Sequence, residues 1–322
     1  MNLHPVLRKL AGAAAVVGAL AAAQAQAQSV AVTSIVEHPA LDAVRDGVHE
    51  ALASAGYTEA KGLKWQFQTA QGNTAIAAQI ARKFVGDKPD VIIAIATPSA
   101  QAVVAATKSI PVVYSAVTDP AAAQLVPGME ASGTNVTGVS DALSLEKQVE
   151  LIKQVVPDAK KVGMVYNPGE ANSVVVVKRL RELLPQSGMS LVEATAARTV
   201  DVGAAARSLV GKVDVIYTNT DNNVVSAYES LVKVGNSAKI PLVASDTDSV
   251  KRGAIAALGV NYHDLGIQTG KLAVRILKGE KPGDIASETS SKVELYVNPG
   301  AAAKQGVTLS DALVKSAAQV IQ

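Results

Sequence analysis

From Gln28 onward, short apolar runs alternate with stretches whose apolar residues recur every three to four positions, a pattern of strands and helices taken in turn. SVAVTSIV (29–36) reads as a strand, and Glu37-His38-Pro39 as a turn. Ala43, Val44, Val48, Ala51 and Leu52 then mark one face of a helix over 42–55, which Gly56 closes. LKWQFQTA (63–70) alternates like a second strand with Trp65 in the core, and a helix is predicted from Thr74 to Val85. The run from Val91 to Ala96 has the length and β-branched content of a strand buried on both faces. It stops at Thr97-Pro98-Ser99, where a hydroxyl before Pro signals a capped helix start. IPVVYSAV (110–117) and a short segment at 135–139 are further strands. Strands alternating with helices at this spacing predict βαβ units and parallel sheets.

The pattern then begins again. KVGMVYNPGEANS (161–173) resembles the first strand and its turn, with Glu170 falling near the place of Glu37. A helix over 173–187 and a strand at 189–196 follow. KVDVIYTNTDNNVV (212–225) repeats KPDVIIAIATPSAQ (88–101), and IPLVASDTDSV (240–250) repeats IPVVYSAVTDP (110–120). Two copies of one α/β unit imply two similar lobes whose strand-end loops can face each other across a cleft. The expected fold class is therefore α/β, two Rossmann-like lobes with parallel sheets joined by a hinge. A helix from Tyr262 to Lys278 is expected to return to the first lobe. The first lobe would then comprise 28–140 with about 262–284, and the second 141–261 with about 285–322. A last strand (291–298) and a helical tail from Ala301 complete the chain.

Composition narrows the chemistry. Hydrophobic residues make up 48% and charged residues 18%, as in a well-cored globular protein. Aromatic residues are only 3%, so Val, Ile, Leu and Ala must build the core. Arg8 and Lys9, the apolar Leu10–Ala23 and the small-residue site Ala25-Gln26-Ala27 read as a cleavable leader, residues 1–27. Without Arg8 and Lys9 the chain has 28 Lys+Arg against 28 Asp+Glu, which argues against a nucleic-acid surface. The sequence has no cysteine, so disulfides, thiolate metal sites and a lipid-modified Cys are excluded. No paired His at metal spacing, no phosphate-binding glycine loop and no nucleophile motif occurs, and neither cofactor, metal nor catalysis is expected.

Candidate binding residues sit at strand C-terminal ends. Thr97 and Ser99, with the N–H groups of the turn through Ala100, form a cradle for a carboxylate. Glu37, Asp119, Glu170, Asp221 and Asp246 offer the opposite charge, more than one ammonium group needs. Asp119 and Glu170 fit helix starts as well as ligand contacts, while Asp221 and Asp246 lie in turns that repeat those of the first lobe. His38 lies in the first-lobe turn. Tyr114, Tyr166, Tyr217 and Tyr262 fall late in strands or near the hinge and could stack on a planar ligand, although Tyr217 fits packing between layers better.

The motifs EHPALD (37–42), TPSAQ (97–101), TDP (118–120), NVTG (135–138), YNPGEANS (166–173), TDN (220–222) and GIQTG (266–270) resemble the ABC-transporter substrate-binding protein family that includes tryptophan/tyrosine-binding proteins. The resemblance implies the type I periplasmic binding-protein fold and no chemistry of its own. It implies a monomer that captures a small solute, often an amino acid, and delivers it to an ABC permease in the inner membrane. Many relatives carry a lipid-anchoring Cys, and this chain departs from that, which leaves it free in the periplasm. The hydroxyl-rich turn opposite an acidic one fits a zwitterion. On the basis of the resemblance Tyr166, Asn167, Asn172, Thr220 and Asn222 join the candidate site. An aromatic or large apolar amino acid is the favoured ligand; a sugar- or nucleoside-type solute, or a sensor feeding a membrane receptor, is the alternative.

Overall fold

A computed structural model describes residues 27–322, so the leader, apart from its last residue, lies outside the described residues. The first sheet is built from β1 (Ser29–Ser34), β2 (Lys64–Thr69), β3 (Val91–Ile95), β4 (Val112–Val117) and β5 (Val136–Ser140). The second is built from β6 (Lys161–Tyr166), β7 (Ser190–Thr195), β8 (Val215–Thr218), β9 (Leu242–Asp246) and β10 (Ala256–Val260). Three late strands follow: β11 (Glu288–Thr289), β12 (Val293–Val297) and β13 (Gln319–Val320). The strand orders are β11-β5-β4-β3-β1-β2 and β13-β12-β10-β9-β8-β6-β7. Setting aside the three late strands, the two orders are identical when β1–β5 are laid on β6–β10. Each lobe is thus the doubly wound order 2-1-3-4-5, which places a binding crevice beyond the carboxyl ends of its strands. The one antiparallel pairing is β12 against β10, and β13 runs parallel to β12.

The duplication extends to single side chains. Asp90, just before β3, accepts from the Ser29 N–H and hydroxyl at the start of β1 (2.6 and 2.8 Å). Asp214, just before β8, accepts from the N–H groups of Lys160 and Lys161 at the start of β6 (both 2.8 Å). One carboxylate per lobe ties the two central strands at their far ends from the cleft.

The chain crosses between lobes after β5, after β10 and between β11 and β12. The β11 residues Glu288–Thr289 pair with Val139–Ser140, so the first sheet takes residues beyond the 284 boundary expected from sequence. Helix Tyr262–Leu277 lies on helix Pro39–Ser54 of the first lobe, with its buried face formed by Leu265, Leu272, Ala273 and Ile276. The crossing is made close by glycine. A β carbon on Gly266 would overlap the Val44 carbonyl, and one on Gly47 the His263 carbonyl. On Gly270 it would lie 2.6 Å from the Ala51 β carbon. The Thr269 hydroxyl, between these glycines, is 2.7 Å from that of Ser115 on β4 and fixes the helix to the sheet.

Four further elements go beyond those expected from the sequence. Ser144 caps helix Leu145–Val155, whose buried face includes Val149, Ile152 and Val155. The others are helices Val202–Ser208 and Tyr228–Ala238 and strand β10. Trp65, expected in the core, is half-buried because β2 is an edge strand; its ring meets His49 edge-on at 5.0 Å. No helix among the described residues is long and apolar enough to cross a membrane.

Candidate ligand-binding site

Between the lobes lies a narrow, tightly closed cleft. Its first-lobe wall comes from the ends of β1, β3 and β4: His38, Leu41, Ala96, Thr97, Ala116 and Thr118. Its second-lobe wall comes from the turns after β6, β8 and β9: Asn172, Thr220, Asn222, Val225 and Asp246. Asp141 and Tyr262, at two of the hinge crossings, close its base.

The first-lobe wall is strained where the cleft begins. Ala96 has φ 71° and ψ 155°, a region other than glycine rarely occupies, and Ala116 has φ 54° at a register shift between β4 and β5. The Ala96 turn carries the chain from β3 into helix Thr97–Ala106 without a side-chain cap. Thr97, expected to cap that helix, is instead its first residue. The N–H groups of Thr97 and Ser99 therefore have no acceptor within the first turn. The Thr97 and Ser99 hydroxyls are buried, with no hydrogen-bond partner in the described residues. Free N–H donors, the Thr97 hydroxyl and the positive end of a helix meet at the cleft, which favours an anion, while Ser99 lies on the same turn but does not line the cleft.

The equivalent turn of the second lobe is filled by its own side chain. Asp221 caps helix Asn222–Ser226 by accepting from the Asn223 and Val224 N–H groups (both 3.1 Å). Its other oxygen accepts from the Asn167 N–H (2.7 Å) and the Ser173 hydroxyl (2.6 Å). Glu170, beneath it, accepts from the Asn222 N–H (3.1 Å) and from the side-chain amides of Asn222 (2.7 Å) and Asn172 (3.1 Å). Burial, then the Asp221 charge, lifts the Glu170 pKa well above the ordinary carboxylate range, and burial lifts that of Asp221. Neither acid lines the cleft; Glu170 holds the Asn172 and Asn222 side chains in it, and Asp221 fixes the turns that carry them. The Asn172 Oδ1 atom has no partner.

Negative charge reaches the cleft from two other acids. Asp141 follows β5 directly and is 4% exposed. Its Oδ2 accepts from the Tyr262 hydroxyl (2.8 Å), and its Oδ1 has no partner. Burial pushes its pKa upward. Asp246 is also buried and raised by burial, but both its oxygens accept from Ser249, through the N–H (2.8 Å) and the hydroxyl (2.6 Å). Of the two, Asp141 has the free acceptor that an ammonium group requires. His38 caps helix Pro39–Ser54, its Nδ1 accepting from the Leu41 N–H (3.4 Å). Burial, with the Arg252 charge, lowers the His38 pKa to about 3, so the ring is neutral here.

Several candidates lie elsewhere. Glu37 is exposed beside Arg45 at 4.0 Å, and Ala100 is buried inside its helix. Asp119 accepts from the Ala122 N–H (2.9 Å) and lines a neighbouring chamber rather than the cleft. Asn167 accepts from the Gly169 N–H (2.9 Å). Tyr166 packs in the second-lobe core with its hydroxyl on Glu193 (2.9 Å), and Tyr114 and Tyr217 are also in cores. Of the four tyrosines weighed for stacking, only Tyr262 reaches the cleft, since strand side chains that face the helical layers are buried before the strand ends. Asp141 was missed by sequence reasoning. The signal was a register match: Gly138-Val139-Ser140-Asp141 aligns with Gly259-Val260-Asn261-Tyr262, so the residues joined by the 2.8 Å bond are equivalent in the two copies. Among the described residues no group of three or more His, Asp or Glu could hold a metal ion.

The family model described as ABC transporter substrate binding protein matches residues 29–321. The chain is 43% identical over 271 residues to a tyrosine-binding protein of Clostridioides difficile, covering 84% of this chain and 79% of that one. It is similar to an ABC domain from Streptococcus pneumoniae in complex with L-Trp, at 34% identity and TM-score 0.88, over 91% of this chain and 99% of that one. It is also similar to the ligand-free, open structure of a substrate binding protein from Clostridium difficile, at 40% identity and TM-score 0.69, over 92% and 99% of the two chains. The open structure is nearer in sequence yet farther in shape, so the lobes here stand in a closed arrangement.

Proposed function

The chain belongs to the ABC transporter substrate binding protein family, and from that premise we propose that it captures an aromatic L-amino acid between its lobes and delivers it to an ABC permease. The fold is that of the type I periplasmic binding proteins, and the family is one of solute binders rather than enzymes. The observation that carries the ligand class is the pair of buried, unpartnered groups on opposite sides of the closed cleft: the Thr97 hydroxyl on one side and Asp141 Oδ1 on the other. Each unmet buried polar group costs about 1–3 kcal/mol, so the closed form is disfavoured when empty. A zwitterion supplies what is missing, its carboxylate on the Thr97 turn and its ammonium on Asp141. Binding then shifts the open–closed equilibrium because only the closed form offers both ends at once. A neutral sugar leaves Asp141 without a countercharge. The names of the tyrosine-binding relative and the L-Trp complex support an aromatic side chain.

Calorimetric titration of protein stripped of bound solute should detect L-Tyr or L-Trp, and absence of binding by both would remove this reading. Ser99→Ala and Thr97→Val should each weaken that binding by about 1–3 kcal/mol, the cost of a lost hydrogen bond to a charged group. Unchanged affinity in both variants would sink the carboxylate assignment. The leader motif and the lack of cysteine support release into the periplasm without a lipid anchor. N-terminal sequencing of exported protein should then read from Gln28.

A further inference from the structure

On the hinge side of the cleft lies a second chamber of about 320 Å³, open to solvent at one end. It shares Thr118, Asp141 and Thr220 with the cleft, so the two are separated by no more than these side chains. Its lining is mostly apolar, with the half-buried Leu143, Leu145 and Val175 beside Asp119 and Arg179 toward solvent, and its inner wall is Tyr217, Asn219 and Ser245. The last two are 2% and 3% exposed, and Asn219 Oδ1 and Ser245 Oγ have no hydrogen-bond partner.

The orientation of Asn219 follows from its neighbour. The Ser173 hydroxyl donates to Asp221 at 2.6 Å, so toward Asn219 it can only accept. Its partner at 3.1 Å must therefore be the Asn219 NH₂ group, which leaves Oδ1 as a buried acceptor without a partner in the chamber wall. An apolar slot ending in an acceptor and a hydroxyl complements a flat ring that carries one N–H or O–H donor. The ligand's ammonium and carboxylate are engaged at Asp141 and the Thr97 turn, so that donor must belong to its side chain.

We infer that the chamber is the side-chain compartment of the binding site, and that Asn219 and Ser245 select a phenol or an indole over a bare phenyl ring. The inference rests on the amino-acid reading above and deepens it. A site built to bond a donor rejects the analogue lacking it, because the buried acceptor is then left unmet.

The test compares L-Tyr, L-Trp and L-Phe by calorimetry on the stripped full protein. The wild type should bind L-Tyr or L-Trp at least tenfold more tightly than L-Phe. Asn219→Leu and Ser245→Ala should cut that ratio to within threefold, chiefly through weaker binding of the donor-bearing ring. Val175→Trp, on a half-buried helix position at the mouth, fills the chamber without touching the zwitterion anchors, and should weaken all three ligands at least tenfold with an unchanged melting temperature. Equal affinity of the wild type for all three ligands, or a ratio unmoved in the Asn219 and Ser245 variants, overturns the inference while leaving the amino-acid reading intact. Binding of none of the three removes both.

Discussion

Asp141→Asn is expected to weaken amino-acid binding by ~30-fold or more, because truncating one partner of a buried, hydrogen-bonded charge pair costs about 2–5 kcal/mol. The same substitution should leave the melting temperature of the empty protein unchanged or higher. Asn keeps an acceptor for the Tyr262 hydroxyl while removing a carboxylate that burial disfavours. Affinity and stability thus move apart, as expected where a destabilised group serves function. An affinity within threefold of wild type would exclude Asp141 as the ammonium anchor. The pH dependence supplies a second readout. In the empty closed protein the Asp141 pKa is raised, so its stability contribution is full below the ordinary value and is lost as pH rises through the raised one. A bound ammonium favours the charged carboxylate, so affinity should climb over that same rise. His38 adds a climb of the same sign, because its depressed pKa makes protonation below pH 6.5 oppose closure. The difference between wild type and Asp141→Asn isolates the Asp141 part.

Gly266→Val should lower stability by about 3 kcal/mol or more, at or beyond the upper end for overpacking. The obstacle is main chain: a β carbon there meets the carbonyl oxygen, the carbonyl carbon and the Cα atom of Val44, none of which can rotate away. At about 2–4 °C per kcal/mol for a chain this large, the melting temperature should fall by roughly 6–12 °C. Ile267→Val, one residue on and half-buried, should change stability by less than about 1.5 kcal/mol. A melting temperature for Gly266→Val within 2 °C of wild type would show that the two helices can separate without loss. Tyr262 begins the same helix, so a displaced helix should also weaken ligand binding.

The architecture was largely legible because its two strongest signals were local. β3 is an unbroken apolar run, and the Lys-x-Asp-Val-Ile and Ile-Pro openings recur one lobe later at equivalent strands. The polar turns after those strands drew attention to the right edges, and His38, Thr97, Asn172, Thr220, Asn222 and Asp246 do meet around one cleft. Local sequence could not say which acids keep an oxygen free. Asp221 and Glu170 resemble ligand contacts in a linear reading, and only the network around Asn167, Asn172, Ser173 and Asn222 shows their oxygens already engaged. Asp141 carries no local mark, since its burial and its bond to Tyr262 depend on a contact 121 residues away. Trp65 was misplaced for a related reason: alternation indicates a strand but not whether that strand lies at the edge of its sheet.

The pair of helix starts after β3 and β8 has a further consequence. Two identical lobes facing each other would enclose a space related to itself by a half-turn, with no means of telling one end of an occupant from the other. At one of the two turns a carboxylate fills the helix start; at the other Thr97 stands in the equivalent place and leaves it open. That single difference breaks the symmetry of the duplicated frame and gives the cleft a head and a tail.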